Sequence, residues 1–253
     1  MNFYAVWAIY KFEMARAIRT VFQSFLAPVI STALYFIVFG AAIGSQIPTI
    51  DNVEYGAFIV PGLIMLSIIT QSLNNAGFGI FMPRYNGSIY EILSAPISSF
   101  EIILGFVGAA ATKSVLIGLI ILGTSYFFVN LNVSYPILML VFLILTSASF
   151  SLFGFIIGIW ATNWEKLNLI PLVVITPLIF LGGTFYSISM LPPIWQLISK
   201  MNPVLYLISG FRWCFFGESE VQIFTSVISV LTFTIACFVM AMILLEKGYK
   251  LRD

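Results

Sequence analysis

Histidine is absent from the 253 residues, and with it the commonest general base and metal ligand near neutral pH. Charge is scarce too: charged residues make up 8% of the chain, where a soluble globular domain carries roughly 25%. Such a chain cannot cover itself with polar side chains, so most of its solvent is lipid. Cys214 and Cys237 are too few and too widely spaced for a disulfide framework or a zinc site, and they read as plain apolar residues. A net charge of +1 argues against nucleic acid as a partner. No G-x-S-x-G, H-E-x-x-H or carboxylate cluster is present, so membrane hydrolases and metalloenzymes have no candidate residues. Gly105–Ser114 looks only faintly like a P-loop, because Thr112 stands where the motif needs glycine before Lys113. The chain is therefore expected to bind no ATP, metal or other cofactor by these motifs and not to be an enzyme.

What the chain has in abundance is apolar length: 60% of it is hydrophobic, with a mean hydropathy of +1.06. A spanning helix needs about 20 mostly apolar residues. Six stretches qualify, at about 21–44, 55–82, 99–129, 136–161, 167–184 and 221–245. Pro48 with Asp51, Pro83 with Arg84, Asn130 to Pro136 and Asn163 to Lys166 punctuate them. The first run exceeds the roughly 7–15 residues of a signal-peptide core and no A-x-A site closes it, which predicts a retained span. The reading is an all-α membrane protein of six transmembrane helices, with no internal repeat and one membrane domain over 1–253.

Basic residues set the orientation. With both termini inside, Lys11, Arg16, Arg19, Arg84, Lys166, Lys247, Lys250 and Arg252 are cytoplasmic, against Lys200 and Arg212 outside. The bias predicts an N-in, C-in topology.

Residues 1–20 differ in kind from the spans. At 100° per residue Phe3, Trp7, Tyr10, Met14 and Ile18 share one helical face, and Asn2, Glu13, Arg16, Arg19 and Thr20 share the opposite one. Ile9 and Phe12 break the pattern, and Lys11 at the border can snorkel. This predicts an amphipathic helix along the cytoplasmic membrane surface; a ragged extension of span one is the alternative.

Between spans two and three, within 83–98, the chain leaves the membrane. Ser88-Ile-Tyr-Glu91 has the spacing of a capping box, Ile89, Ile92 and Leu93 share a face, and Pro96 ends the helix. Ser98-Ser-Phe-Glu101 repeats the spacing and opens span three, its Glu101 well placed against the helix dipole. A short capped helix with an apolar face and an acid suits docking of a cytoplasmic partner, and equally an interfacial helix lying on lipid.

Between spans five and six, Pro192-Pro193, Asn202-Pro203 and Gly210 cut an apolar stretch into pieces too short to span. This predicts a re-entrant or interfacial hairpin over 185–217 on the outer side, held at headgroup depth by Trp195, Tyr206 and Trp213. An exit gate and a structural lid are both compatible with it. Lys113 is the exception to an uncharged interior, since a midplane lysine costs about 2.5–3.5 kcal/mol on insertion scales. Such a residue faces a cavity, snorkels or pairs with a carboxylate; the nearest acid at a neighbouring span end is Glu54.

Taken together, these features resemble the ABC-2 type permeases, the membrane subunits of bacterial ABC exporters, and most of all the small YadH-like and NodJ-like members. Glu91-Ile-Leu-Ser-Ala-Pro-Ile-Ser98 is similar to the family's acidic signature after span two. Leu191-Pro-Pro-Ile-Trp195, Asn202-Pro-Val-Leu-Tyr206 and Arg212 are similar to its outer-loop pattern. The resemblance covers nearly the whole chain. It implies a homodimer in the bacterial inner membrane, paired with two copies of a separate ABC ATPase that carries ATP and Mg. Helix 88–95 would be the coupling helix and 1–20 the connecting helix. Arg84, Ser88, Glu91 and Ile92, with Arg16 and Arg19 on the connecting helix, are the candidate coupling residues. Pathway candidates, chosen from polarity and position, are Asn74, Asn75, Phe78, Lys113, Thr176, Phe180 and Phe185. The cargo class stays open among drug-like, lipid-linked and saccharide compounds. An ion-coupled secondary transporter is the alternative, although it would want a carboxylate within the spans.

Overall fold

A computed structural model describes residues 2–40, 44, 46, 49–50, 53–218 and 221–250. The end of the first predicted span, Pro48, Asp51 and Arg252 lie outside the described residues. The order is α1 Phe3–Arg19, α2 Ala27–Val38, a two-residue hairpin of β1 Thr49–Ile50 and β2 Val53–Glu54, α3 Tyr55–Tyr85, α4 Ile89–Ser94 and α5 Ser99–Ser125. There follow α6 Pro136–Trp160, α7 Trp164–Ile170, α8 Thr176–Leu181, α9 Pro193–Lys200, α10 Pro203–Phe216 and α11 Ile223–Glu246.

Among the described residues five helical stretches are long and apolar enough to cross a membrane: α3, α5, α6, the run Trp164–Leu181 and α11. The pair Phe3–Arg19 and Phe22–Val38 would add a sixth but bends by 85°. That bend separates α1 from the first apolar run, as the amphipathic pattern predicts. The π-helical turns Phe22–Leu26 and Pro171–Ile175 each end just before a proline of the next helix, Pro28 and Pro177. A proline ring strikes the carbonyl four residues back; bonding to the fifth residue instead widens the turn and lets each run continue.

The central element is α3, most of whose length is buried among the other helices. It packs most tightly against α6. A β-carbon on Gly154 would lie 2.2 Å from the Leu73 carbonyl oxygen, and one on Gly158 would lie 2.4 Å from that of Gly77. Small residues at such a crossing let two backbones touch, which in lipid replaces the hydrophobic drive of water. Hydroxyls tie α6 to both neighbours: Ser147 donates to the Ala111 carbonyl of α5 at 2.9 Å and pairs with Ser72 of α3 at 3.1 Å. Each such bond contributes on the order of 0.6 kcal/mol.

The N-terminus, α4, the α6–α7 turn and the C-terminal turn gather at one end of the bundle. Asn2 N–H donates to Glu101 at the start of α5, and Lys250 Nζ donates to the Trp160 carbonyl at 2.9 Å. The opposite end holds the β-hairpin and the α6 N-terminus: Tyr55 donates to the Phe185 carbonyl at 3.2 Å and Ser134 to that of Phe215 at 2.8 Å. There α9 and α10 turn back on each other at Met201–Asn202, with the Asn202 amide donating to the Leu178 carbonyl at 2.6 Å. Ten residues of α10 are buried, whereas α9 exposes Ile194, Trp195, Leu197 and Ile198. Of the three predicted anchors Trp195 is exposed, while Tyr206, which donates to the Lys200 carbonyl, and Trp213, which stacks on Tyr135 at 4.4 Å, are half-buried. Arg212 is buried, donating to the Gly183 carbonyl at 2.7 Å and lying over the Phe58 ring, rather than standing as a surface charge.

Candidate functional site

Two places combine polar chemistry with deliberate local structure, and the first is α4. The Ser88–Glu91 capping box does not form. Ser88 already has helical dihedrals, φ −67 and ψ −10, and makes no side-chain cap, whereas a capping residue needs an extended backbone. Its hydroxyl and amide instead donate to Asn86 Oδ1, at 2.8 and 3.1 Å, in a turn that Gly87 completes at φ +81. The second box forms as expected. Ser98 is extended, its Oγ accepts from the Glu101 amide at 3.4 Å, and its own amide donates to Glu101 Oε2 at 2.8 Å.

The apolar face of α4 is seated on the bundle. Ile89 is buried, and Ile92 and Leu93 pack against a cluster built from α3, α5, α6 and α11. Glu91 stays exposed. Arg84, expected beside it at a partner contact, is used internally. Its Nη1 donates to the carbonyls of Gly158, Ile159 and Ala161, at 2.8, 2.6 and 3.0 Å, and its Nε to that of Lys250 at 3.0 Å. This closes the C-terminus of α6, where carbonyls have no partner within the helix.

The second place is a cavity of about 460 Å³ enclosed by α1, the turn entering α2, α3 and α5. Here the reading of α1 needs correcting. Its polar face was expected to meet water, but Glu13 and Ala17 are buried against the bundle. Of the predicted apolar face, Phe3, Trp7 and Ile18 are exposed, whereas Tyr10 is half-buried and Met14 lines the cavity. Ile9, which broke the amphipathic pattern, is where α1 docks: a β-carbon on Gly105 of α5 would meet it at 2.8 Å. Arg16, expected as a coupling residue, pairs with Glu13 at 2.5 Å, lies 4.8 Å above the Phe78 ring and lines the cavity. Arg19 stays exposed. Burial pushes the Glu13 carboxyl above its ordinary range despite the opposing pull of Arg16 and Lys113. The same burial lowers the Arg16 guanidinium, with Glu13 acting against it.

Lys113 meets this cluster and not Glu54. Its ammonium donates to Asn75 Oδ1 at 2.7 Å. Glu54 stands immediately before α3, about 20 residues from Asn75 and so roughly 30 Å away at the helical rise. Because Gln23 and Ser24 line the same cavity, Lys113 is level with the first turn of the first apolar run rather than with its middle. Of the pathway candidates, Asn74, Asn75, Phe78 and Lys113 come together here. Thr176, Phe180 and Phe185 do not. Thr176 donates to the Pro171 carbonyl at 3.0 Å, within the π turn. Phe180 and Phe185 stack at 5.6 Å, and Phe185 also stacks on Phe39 at 4.7 Å toward the opposite end. Glu13, Thr20, Gln23, Ser24 and Gln71 are polar residues of the cavity that sequence reasoning did not name as site candidates. The available signal was Ile9, an apolar residue amid a face assigned to water. Among the described residues no group of three metal-ligating side chains is present.

Residues 4–216 match the family model described as ABC-2 type transporter. The chain is 38% identical over 249 residues to "Inner membrane transport permease YadH" of Escherichia coli strain K12, covering 98% of this chain and 97% of that one. It is 24% identical over 235 residues to "Nodulation protein J" of Rhizobium meliloti strain 1021, covering 90% of this chain and 88% of the relative.

Proposed function

The chain belongs to the ABC-2 type transporter family, and from that premise we propose that it is the permease subunit of an ATP-driven exporter in the bacterial inner membrane. Two copies would form the pathway, and two separately encoded ATPase subunits would bring ATP and Mg. The topology that fits is N-in, C-in: the N-terminus, α4 and the C-terminal turn share one end, and the basic residues Lys11, Arg19, Lys166 and Lys247 lie on segments at that end. The whole chain then acts as one transmembrane domain, with α9–α10 as an outer re-entrant hairpin.

The observation that carries the reading is α4. Its Ile89 face is fixed into the bundle while Glu91 is held exposed, so force applied to the helix passes to α3, α5 and α6. ATP binding would close the ATPase dimer and move α4 as a lever. The pathway would run between α3 and the Trp164–Leu181 stretch of facing copies, for a drug-like, lipid-linked or saccharide cargo. A secondary transporter finds less support, because the described spans carry carboxylates only near their ends, at Glu101, Glu165 and Glu246.

The test is affinity purification of the tagged chain from its native membrane in mild detergent, followed by mass spectrometry. A stoichiometric P-loop ATPase that is lost on Glu91→Arg supports the assignment. A chain that purifies alone in several gentle detergents sinks it.

A further inference from the structure

The cavity behind α1 holds charged groups whose hydrogen-bonding capacity is only partly used. Glu13 is 7% exposed; one of its oxygens takes Arg16, and its Oε1 is buried with no hydrogen-bond partner. Asn75 gives its oxygen to Lys113 and leaves its Nδ2 buried, also with no partner. The wall thus offers one unmet acceptor of negative charge and one unmet donor beside two cations. A buried polar atom left unpaired costs about 1–3 kcal/mol, and more if charged. A purely anionic ligand would set like charge against Glu13, and a purely cationic one would meet Arg16 and Lys113. The complement is a zwitterion joining a phosphate to an ammonium.

Position indicates the source of such a group. The helix α1 turns by 85° from the first apolar run and shows Phe3, Trp7 and Ile18 outward, which is how a helix lies at the level of lipid headgroups. Gln23 and Ser24 place the cavity at that same level. We propose that the cavity binds the headgroup of a zwitterionic aminophospholipid of the cytoplasmic leaflet, its phosphate toward Lys113, Arg16 and Asn75 Nδ2 and its ammonium toward Glu13 Oε1. The bound lipid pins α1 to α3 and α5. This rests on the membrane placement proposed above and not on the pairing with an ATPase.

The test uses the full chain, delipidated in detergent and then given equal amounts of phosphatidylethanolamine and phosphatidylglycerol with matched acyl chains. Native mass spectrometry reads the retained lipid, with no nucleotide or ATPase present. Phosphatidylethanolamine should be retained roughly tenfold over phosphatidylglycerol, about what one charge-assisted hydrogen bond provides. Glu13→Gln, close in shape, should erase the preference while total lipid retention stays. Lys113→Met, on a different helix, should lower retention of both lipids. Equal retention by the native chain, or a preference that survives both variants, overturns the proposal and leaves a cavity filled by water. Thermal protection by soluble phosphoethanolamine equal to that by the lipid assigns the site to a soluble ligand and overturns the lipid source. Failure of an ATPase to co-purify would undo the exporter reading while leaving this result intact.

Discussion

Gly154 on α6 and Leu73 on α3 touch so closely that a β-carbon on residue 154 would lie 2.2 Å from the Leu73 carbonyl oxygen. The obstacle is backbone and cannot swing aside. Gly154→Ala should therefore force α6 away from the central helix and break the Ser72–Ser147 contact near the same crossing. We expect a large loss of monodisperse protein in size-exclusion chromatography, although alanine is the better helix former by about 1 kcal/mol. A native yield would show that the two helices have room to separate.

Arg84 and Glu91 are separated by only one short turn, yet they should respond in opposite ways. Arg84→Met leaves the carbonyls of Gly158, Ile159 and Ala161 without their cation, and bonds to a charged group contribute about 1.5–3 kcal/mol each. Its melting temperature in detergent should fall by several degrees, with Arg84→Lys recovering part of the loss. Glu91→Arg changes an exposed side chain and should leave melting unchanged while abolishing capture of the ATPase. If Arg84→Met melts like the native chain, the α6 cap is not structural.

Ile89 joins the two roles. Its burial predicts that Ile89→Ala loosens α4 at a cost of about 2–5 kcal/mol locally. The ATPase should then still bind through exposed Glu91, but its hydrolysis should no longer respond to the permease. Retained coupling, read as permease-dependent ATPase rate in reconstituted vesicles, would mean that α4 transmits force by another contact.

The long apolar runs were legible because composition and length determine them, and the same holds for the α1 break, where periodicity changes at residue 20. Polar residues were placed less well. Ser88 and Ser98 carry the same S-x-x-E spacing, but only Ser98 is extended, and the left-handed Gly87 with Asn86 decides the other case. The Glu13 face of α1 reads as water-facing on a helical wheel because a single helix cannot reveal a polar cavity opposite it. The partner of Lys113 stayed open among a cavity, snorkelling and a carboxylate because the antiparallel register of α3 and α5, which brings it to Asn75, is a tertiary fact.

The Lys113–Asn75 pair makes its own prediction. Asn75→Leu leaves the ammonium beside an apolar side chain, so it should destabilise more than Lys113→Met, which leaves only an amide. The double variant should then be more stable than the sum of the two losses implies, by on the order of 1 kcal/mol. Strictly additive melting shifts across the four proteins would show that the 2.7 Å contact carries no coupling.

Glu13 gives the chain a dependence on pH whose sign follows from burial. Its carboxyl is raised above the ordinary range in the folded state, chiefly by desolvation, with Arg16 and Lys113 reducing the shift. A group that holds its proton more tightly when folded stabilises the fold fully below its unfolded pKa, and that contribution is lost as pH rises through the folded one. Melting temperature in detergent should thus fall as pH climbs from the ordinary carboxylate range through the raised value. Glu13→Gln keeps the shape and cannot titrate, so the difference between the two curves isolates this group. Parallel curves would mean that Arg16 holds Glu13 ionised throughout, and a variant that falls faster than the native chain would reverse the sign of the shift.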